Sequence, residues 1–375
     1  MYRPVGVALA IVLGCSAANG QDVYKIGSSV GLSGYAAFID GPWKDGAVLA
    51  ADTVNQKGGV LGRKIEVIAE DMRSEPAEAV TVARKLINSD KVIALVNGCS
   101  SAGNVAMAPL VARAKIPMML CSILPPKQED HKWAFSYLPP PVFDVEIRFG
   151  YLQKIGKKKV GILYDPTPYA GLQKRTAEEK AKQYGIEIVG SEQFKPTDAD
   201  MTAYLTKLNS AGAEAIVKMG SGPATITVAK AIKQLGLSLP LLTSTEDLNV
   251  VQGTADALSD QFIFPGQRTQ VLELLPKNDA SMKSTEEFLT LWKARHGDRD
   301  PTWGARSWDA LQTVVAAMRK IGTADGTQVR DAIENDLTLA GASGDLSFSP
   351  DNHVGVRSNP YYLAMMINGK VKLVQ

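Results

Sequence analysis

The stretch from Lys91 to Asn104 constrains the fold most. Val92-Ile93-Ala94-Leu95-Val96 is wholly apolar and ends abruptly at Asn97-Gly98-Cys99-Ser100-Ser101-Ala102-Gly103-Asn104. A strand without polar alternation is buried on both faces, as in a parallel sheet covered by helices. A helical run, Val105 to Ala114, follows directly, so backbone amides and hydroxyls gather at the strand's carboxyl end. Open α/β sheets bind ligands at that edge, and a helix N-terminus there favours negative charge. A second mouth of the same kind follows Tyr24 to Val30, at Gly31-Leu32-Ser33-Gly34.

The rest of the chain repeats this alternation. Pro42 is expected at the first position of a helix whose inner face is Ala47, Ala50, Ala51 and Val54. Strand Lys64 to Ala69 comes next, then a helix capped by Ser74 with Ala79, Val82, Ala83, Leu86 and Ile87 inward. With the short strand Pro117 to Cys121, the first third reads as βαβαβαβ, a doubly wound parallel sheet. Leu138-Pro139-Pro140-Pro141 then forces a stiff extended crossing. Beyond it the pattern restarts, with strands at Lys159–Tyr164, Ile186–Phe194, Ala215–Met219 and Leu239–Thr243 separated by helices. Strand Gln261 to Phe264 and Pro265-Gly266 suggest a second crossing, after which helices Ser281–Arg295 and Arg306–Ile321 rejoin the first half. A β-rich tail, Asp345–Phe348 and Tyr361–Ile367 with Asn368-Gly369 as a hairpin turn, closes the chain.

Export is written in the first 21 residues: Arg3, an apolar run Val5 to Leu13 too short to span a bilayer, and the small-x-small site Ala18-Asn19-Gly20. Val12-Leu13-Gly14-Cys15 offers a second exit, a lipid anchor at Cys15. No later stretch has the length and apolarity of a transmembrane helix. The remaining length exceeds what one core usually serves, so two domains are expected. Lysine and arginine number 41 against 39 aspartates and glutamates, and the bases are scattered, which argues against a nucleic-acid partner. Cys99 and Cys121 each end an apolar strand. An oxidising compartment permits a bridge between them, and two buried thiols are the alternative.

In this order the pieces resemble the type I periplasmic binding proteins, above all the leucine/isoleucine/valine-binding branch that serves ABC importers. The residues carrying the resemblance are Ile26 to Gly34, Asn55 to Arg63, Glu70-Asp71, Gly98 to Ser101, Tyr164 to Gly171 and Trp308 to Leu311. The resemblance implies two α/β lobes joined by three hinge crossings with one ligand between them. Lobe 1 is then expected at 22–138 plus 266–343, and lobe 2 at 139–265 plus 344–375. It further implies a periplasmic, monomeric binding protein that delivers its ligand to a membrane permease, without cofactor, metal or catalysis.

Carried over residue by residue, the family's carboxylate cradle falls on Ser100 and Ser101, beside Cys99 and Ser33 of the two strand-end turns. Tyr169 matches the aromatic that meets the ligand on closure, Glu246 the acid that pairs with a ligand ammonium, and Trp303 an aromatic wall. Phe38 and Ile39, in the loop after the first strand, are apolar candidates for the lining. One departure bears on the ligand. Where amino-acid-binding members carry a small-small-Thr set, this chain has Ser122-Ile123-Leu124, and Leu124 gives an ammonium no side-chain acceptor. Ser221-Gly222 stands where a far-lobe tyrosine is common and leaves room. The expected ligand is therefore a small carboxylate with a hydrophobic or aromatic body, with a hydrophobic amino acid as the alternative.

Each residue also has a plainer role: Ser100 as a helix cap, Glu246-Asp247 as a solvated helix start, Trp303 as core. Enzymatic readings are weaker. Gly98-Cys99-Ser100-Ser101-Ala102 lacks the second glycine of a nucleophile elbow, and His131, His296 and His353 have no metal-ligand spacing. A sensory receptor built from the same lobes is the remaining alternative.

Overall fold

The structure, a computed structural model, describes residues 23–124, 129–276 and 282–374. The export segment 1–21 and the lipid-anchor site Cys15 lie outside the described residues. Among those described, no helix is long and apolar enough to cross a membrane.

The first lobe is built on β1 (Tyr24–Val30), β2 (Ile65–Asp71), β3 (Ala94–Asn97), β4 (Met118–Leu120) and β5 (Ala134–Ser136). They form a five-stranded parallel sheet in the order β2-β1-β3-β4-β5. All four residues of β3 are buried, as a strand covered on both faces requires. The second lobe uses β6 (Lys159–Tyr164), β7 (Glu187–Gln193), β8 (Ala215–Met219), β9 (Leu241–Leu242) and β10 (Phe262–Gly266). The short hairpin β11 (Thr338–Ala340) and β12 (Asp345–Ser347) stands apart from both sheets. β13 (Tyr362–Ile367) and β14 (Lys370–Leu373) then complete a seven-stranded second sheet, β14-β13-β10-β9-β8-β6-β7, by antiparallel pairing on β10. Asn368 and Gly369 turn this last hairpin with φ of 52° and 69°, the left-handed pair that a tight turn needs.

Three expectations are corrected. The first long helix runs Ala37–Gln56, so Pro42 lies inside it, not at its start. Residues 345–356 belong with the first lobe: Leu346, Phe348 and Val356 join its core, and Val354 bridges to Ser136 of β5. Conversely, Val271, Leu275 and Met282 pack into the second lobe's core, so the chain rejoins the first lobe later than residue 266.

The crossings meet at Arg306, on the helix Thr302–Ile321. Its guanidinium is buried and donates to the Tyr137 carbonyl at 2.8 Å and to Gln267 Oε1. Its positive charge also lies near the buried Tyr361 hydroxyl, whose pKa burial raises and Arg306 pulls back down. Tyr137 stands just before the crossing at 138–141 and Gln267 just after β10 of the second lobe, so one fork-shaped donor ties the two lobes together.

Cys99 and Cys121 form a disulfide, their Cα atoms 4.4 Å apart, linking the carboxyl ends of β3 and β4. Closing a loop of this length restricts the unfolded chain, a contribution of about 3 kcal/mol in the chain-entropy account. Replacing both cysteines by serine is expected to lower unfolding free energy by about 2–4 kcal/mol in urea titration. An unchanged midpoint would show that the bond contributes nothing to stability.

Candidate functional site

The carboxyl ends of both sheets face one cavity of 640 Å³. From the first lobe it is lined by Tyr35, Phe38 and Ile39 after β1, by Cys99 and Ser101 after β3, and by Cys121 after β4. From the second lobe come Asp165, Thr167 and Tyr169 after β6, Phe194 after β7, and Lys218 and Gly220 to Ala224 at the end of β8. Trp303 completes the wall beside the crossings. Strand ends supply this lining because that is where side chains and free amides emerge from an α/β sheet.

The near wall is held by a buried acid. Asp40 accepts from the Gly31 amide at 2.7 Å and from the Cys99 amide at 2.6 Å, joining the loops after β1 and β3. Burial pushes its carboxyl up to about 7 despite those two donors. Ser100 Oγ caps the helix Ser101–Ala114 by accepting from the Gly103 amide, and lies 3.3 Å from the Tyr35 hydroxyl.

The far wall carries the charge. Lys218 is the penultimate residue of an otherwise apolar strand and is 1% exposed. Its ammonium donates to the Gly220 carbonyl at 3.0 Å, stands over the Phe194 ring, and lies 3.6 Å from Glu246 Oε1. Glu246 is fully buried and spends both oxygens inward, on the Gly222 amide and the Thr225 hydroxyl, each at 2.6 Å. Burial raises its carboxyl to about 7, against the lowering pull of Lys218 and these two donors. Asp165 accepts from the Thr167 amide and hydroxyl through Oδ1 and turns Oδ2 toward Gly220, where a side chain would collide with it.

Seven expected residues line the cavity: Phe38, Ile39, Cys99, Ser101, Tyr169, Ser221 and Trp303. Six do not. Ser33 is exposed and bound to Asp71 Oδ2 at 2.8 Å. Ser100 is sealed beneath the cap it forms. Ser122 takes a 3.0 Å bond from Asn104 inside the lobe. Ile123 and Leu124 line a separate 40 Å³ cavity with His131 and His353, so Leu124 is no wall of the cleft. Glu246 is turned into its own lobe, as described. The room expected beside Gly222 is filled from across the cleft: a Cβ there would lie 2.9 Å from Phe38 Cζ. That contact joins the lobes across the cavity.

Lys218, Asp165, Tyr35 and Phe194 were not among the expected residues. A lysine at the penultimate position of the apolar strand Ala215–Met219 was the available signal for the first. Trp303 adds an indole N–H that is buried without a partner. Tyr169, half-buried, packs against the first lobe's core, and burial raises its hydroxyl well above the usual phenol range.

Two sheets whose carboxyl ends enclose one apolar cavity, with a buried cation and few polar groups on its wall, make a two-lobed ligand trap. A family model described as periplasmic binding protein matches residues 23–370, and the chain belongs to that family. It is 21% identical over 348 residues to the leucine-, isoleucine-, valine-, threonine- and alanine-binding protein of Pseudomonas aeruginosa, covering 91% of this chain and 90% of that one. Its fold is similar to an extracellular ligand-binding receptor from Rhodopseudomonas palustris HaA2. That match has a TM-score of 0.83 and 24% identity over 94% of this chain and all of the other. It is also similar to the branched-chain amino acid transporter substrate-binding protein of Streptococcus pneumoniae solved with isoleucine. There the TM-score is 0.79 and the identity 25%, over 94% of this chain and 98% of the other. The protein is thus an extracytoplasmic solute-binding protein of the class that serves ABC transporters.

The buried acids set a pH dependence. Asp40 and Glu246 are raised to about 7 and Asp309 to about 6, each chiefly by burial. Between the ordinary carboxyl range and those values the folded protein holds protons that the unfolded chain has released, so stability falls as pH rises. Denaturant unfolding is expected to show lower stability at pH 8 than at pH 5.5. Stability that is flat or rising across that interval would contradict these positions.

Proposed function

We propose that this protein captures a small carboxylate with a hydrophobic or aromatic body and delivers it, in the periplasm, to an ABC permease. The observation that carries this reading is Lys218: an ammonium has three donors, and only the bond to Gly220 is strong. A carboxylate is the natural acceptor for a buried, under-used ammonium. Trp303, packed with the first lobe's core beside the crossings, adds an orphan indole N–H, and Ser101 a hydroxyl, on the side opposite Lys218. Tyr35, Phe38, Tyr169 and Phe194 suit an apolar or aromatic body. Glu246, by contrast, has both oxygens engaged and offers a ligand ammonium little.

A hydrophobic amino acid is the second reading. Asp165 supports it, because this carboxylate lines the cavity and commits one oxygen to Thr167. The relatives named for branched-chain amino acids support it as well.

In either case the lobes close over the ligand, and contacts made only when shut supply the preference for the closed form. A thermal-shift screen of pairs that differ only in the ammonium separates the readings: leucine with 4-methylpentanoate, phenylalanine with 3-phenylpropanoate. The acid of each pair is expected to raise the melting temperature more. Shifts by the amino acids alone would overturn the carboxylate reading. Replacing Lys218 by Met together with Glu246 by Gln, which leaves no lone buried charge, is expected to weaken carboxylate binding by ~1.5–3 kcal/mol in calorimetry. Unaltered affinity would remove Lys218 from the site.

A further inference from the structure

Lys218 and Glu246 form an ion pair within the cavity wall, 3.6 Å apart and almost fully buried, and only the lysine lines the ligand space. The pair is neutral while both groups are ionised. Asp165 already lines the same cavity, so a monoanionic ligand placed against Lys218 would add negative charge that nothing compensates in a closed, mostly apolar space, which is costly. The second acceptor of the lysine's charge is Glu246, whose carboxylate is the group most directly forced to yield.

We propose that the site takes up one proton from solvent onto Glu246 when it binds an anionic ligand. The Glu246 carboxylate becomes a carboxylic acid, its claim on Lys218 passes to the ligand carboxylate, and lysine plus ligand are neutral again. This deepens the carboxylate reading above and rests on it.

The surroundings of Glu246 fit the exchange. Its two oxygens face the Gly222 amide and Thr225 hydroxyl, and accepting from these does not require the ionised form. The charged neighbours on other elements are Lys218 on β8 and, beyond Gln270, Asp300. Adjacent Asp247, which caps the helix Leu248–Leu258, raises the Glu246 carboxyl further. Its starting position near 7 places the change in the physiological range. Asp40 titrates in the same range, but its oxygens face the Gly31 and Cys99 amides of the opposite lobe.

The test is calorimetric titration of the full folded protein at pH 7.5 in phosphate and in Tris, whose ionisation enthalpies differ. The probes are 4-methylpentanoate, benzoate and 4-hydroxycinnamate, and the tightest is carried forward. The wild type is expected to absorb about half a proton or more per ligand, with affinity rising several-fold from pH 8.5 to pH 6.5. Glu246→Gln is expected to bind the same probe more tightly at pH 8.5, with no uptake and little dependence on pH. Binding without proton uptake in the wild type would overturn this proposal and leave the carboxylate reading standing. Uptake that persists in E246Q would move the proton elsewhere and overturn the assignment. Binding of none of the three probes would overturn both readings.

Discussion

A single buried guanidinium holds the geometry on which everything else depends. Arg306 donates to the Tyr137 carbonyl at the end of the first lobe's sheet and to Gln267 Oε1 in the second lobe. A buried charge needs well-placed acceptors to be tolerated, and here each lobe supplies one. These bonds tie the lobes together beside the cavity that the carboxyl ends of both sheets line. The same guanidinium stands 5.7 Å over the Trp303 ring, so the hinge and the cavity wall are in direct contact. Nearby, Asp144, Arg148, Gln173 and Ser244 form a second buried polar network on the far side of the crossing.

The lobes divide the work between them. The near wall is fixed by a disulfide and by Asp40, which together pin the loops after three strands. It offers a hydroxyl and aromatic surface but no net charge toward the cavity. The far wall carries Lys218 and Asp165, and Phe38 reaches across the cavity to Gly222. Such a division suits a trap that first places the ligand's body on a rigid surface and adds the charged contacts on closing. Differential contact of that kind is what shifts an open-to-closed equilibrium.

The fold was legible in the sequence because its signals are local and repeated: apolar strands, capped amphipathic helices, and Leu138-Pro139-Pro140-Pro141 where the chain changes lobe. The strand-end rule also reached Phe38, Ile39, Cys99 and Ser101, and the family resemblance reached Tyr169, Ser221 and Trp303. What it missed depends on contacts far apart in the chain. Ser100 carries a cap signal and a ligand signal at once, and local capping won. Leu124 reads as a cleft wall until the disulfide draws Cys121 to Cys99 and the chain beyond turns away. Lys218 reads as a solvated strand residue until its buried partner 28 positions later is known. The tail at 345–356 shows the same limit, since only its packing on Phe135 and Tyr137 reveals which lobe it serves.

The central claim is that an anion lies between the lobes against the Lys218 ammonium. A crystal structure of the protein with a bound carboxylate tests it most directly. A ligand oxygen should sit about 2.7–3.2 Å from Lys218 Nζ, with the ligand's body among Phe38, Tyr169 and Trp303. A carboxylate bound outside this cavity, or bound within it while Lys218 still faces Glu246 alone, would contradict the account.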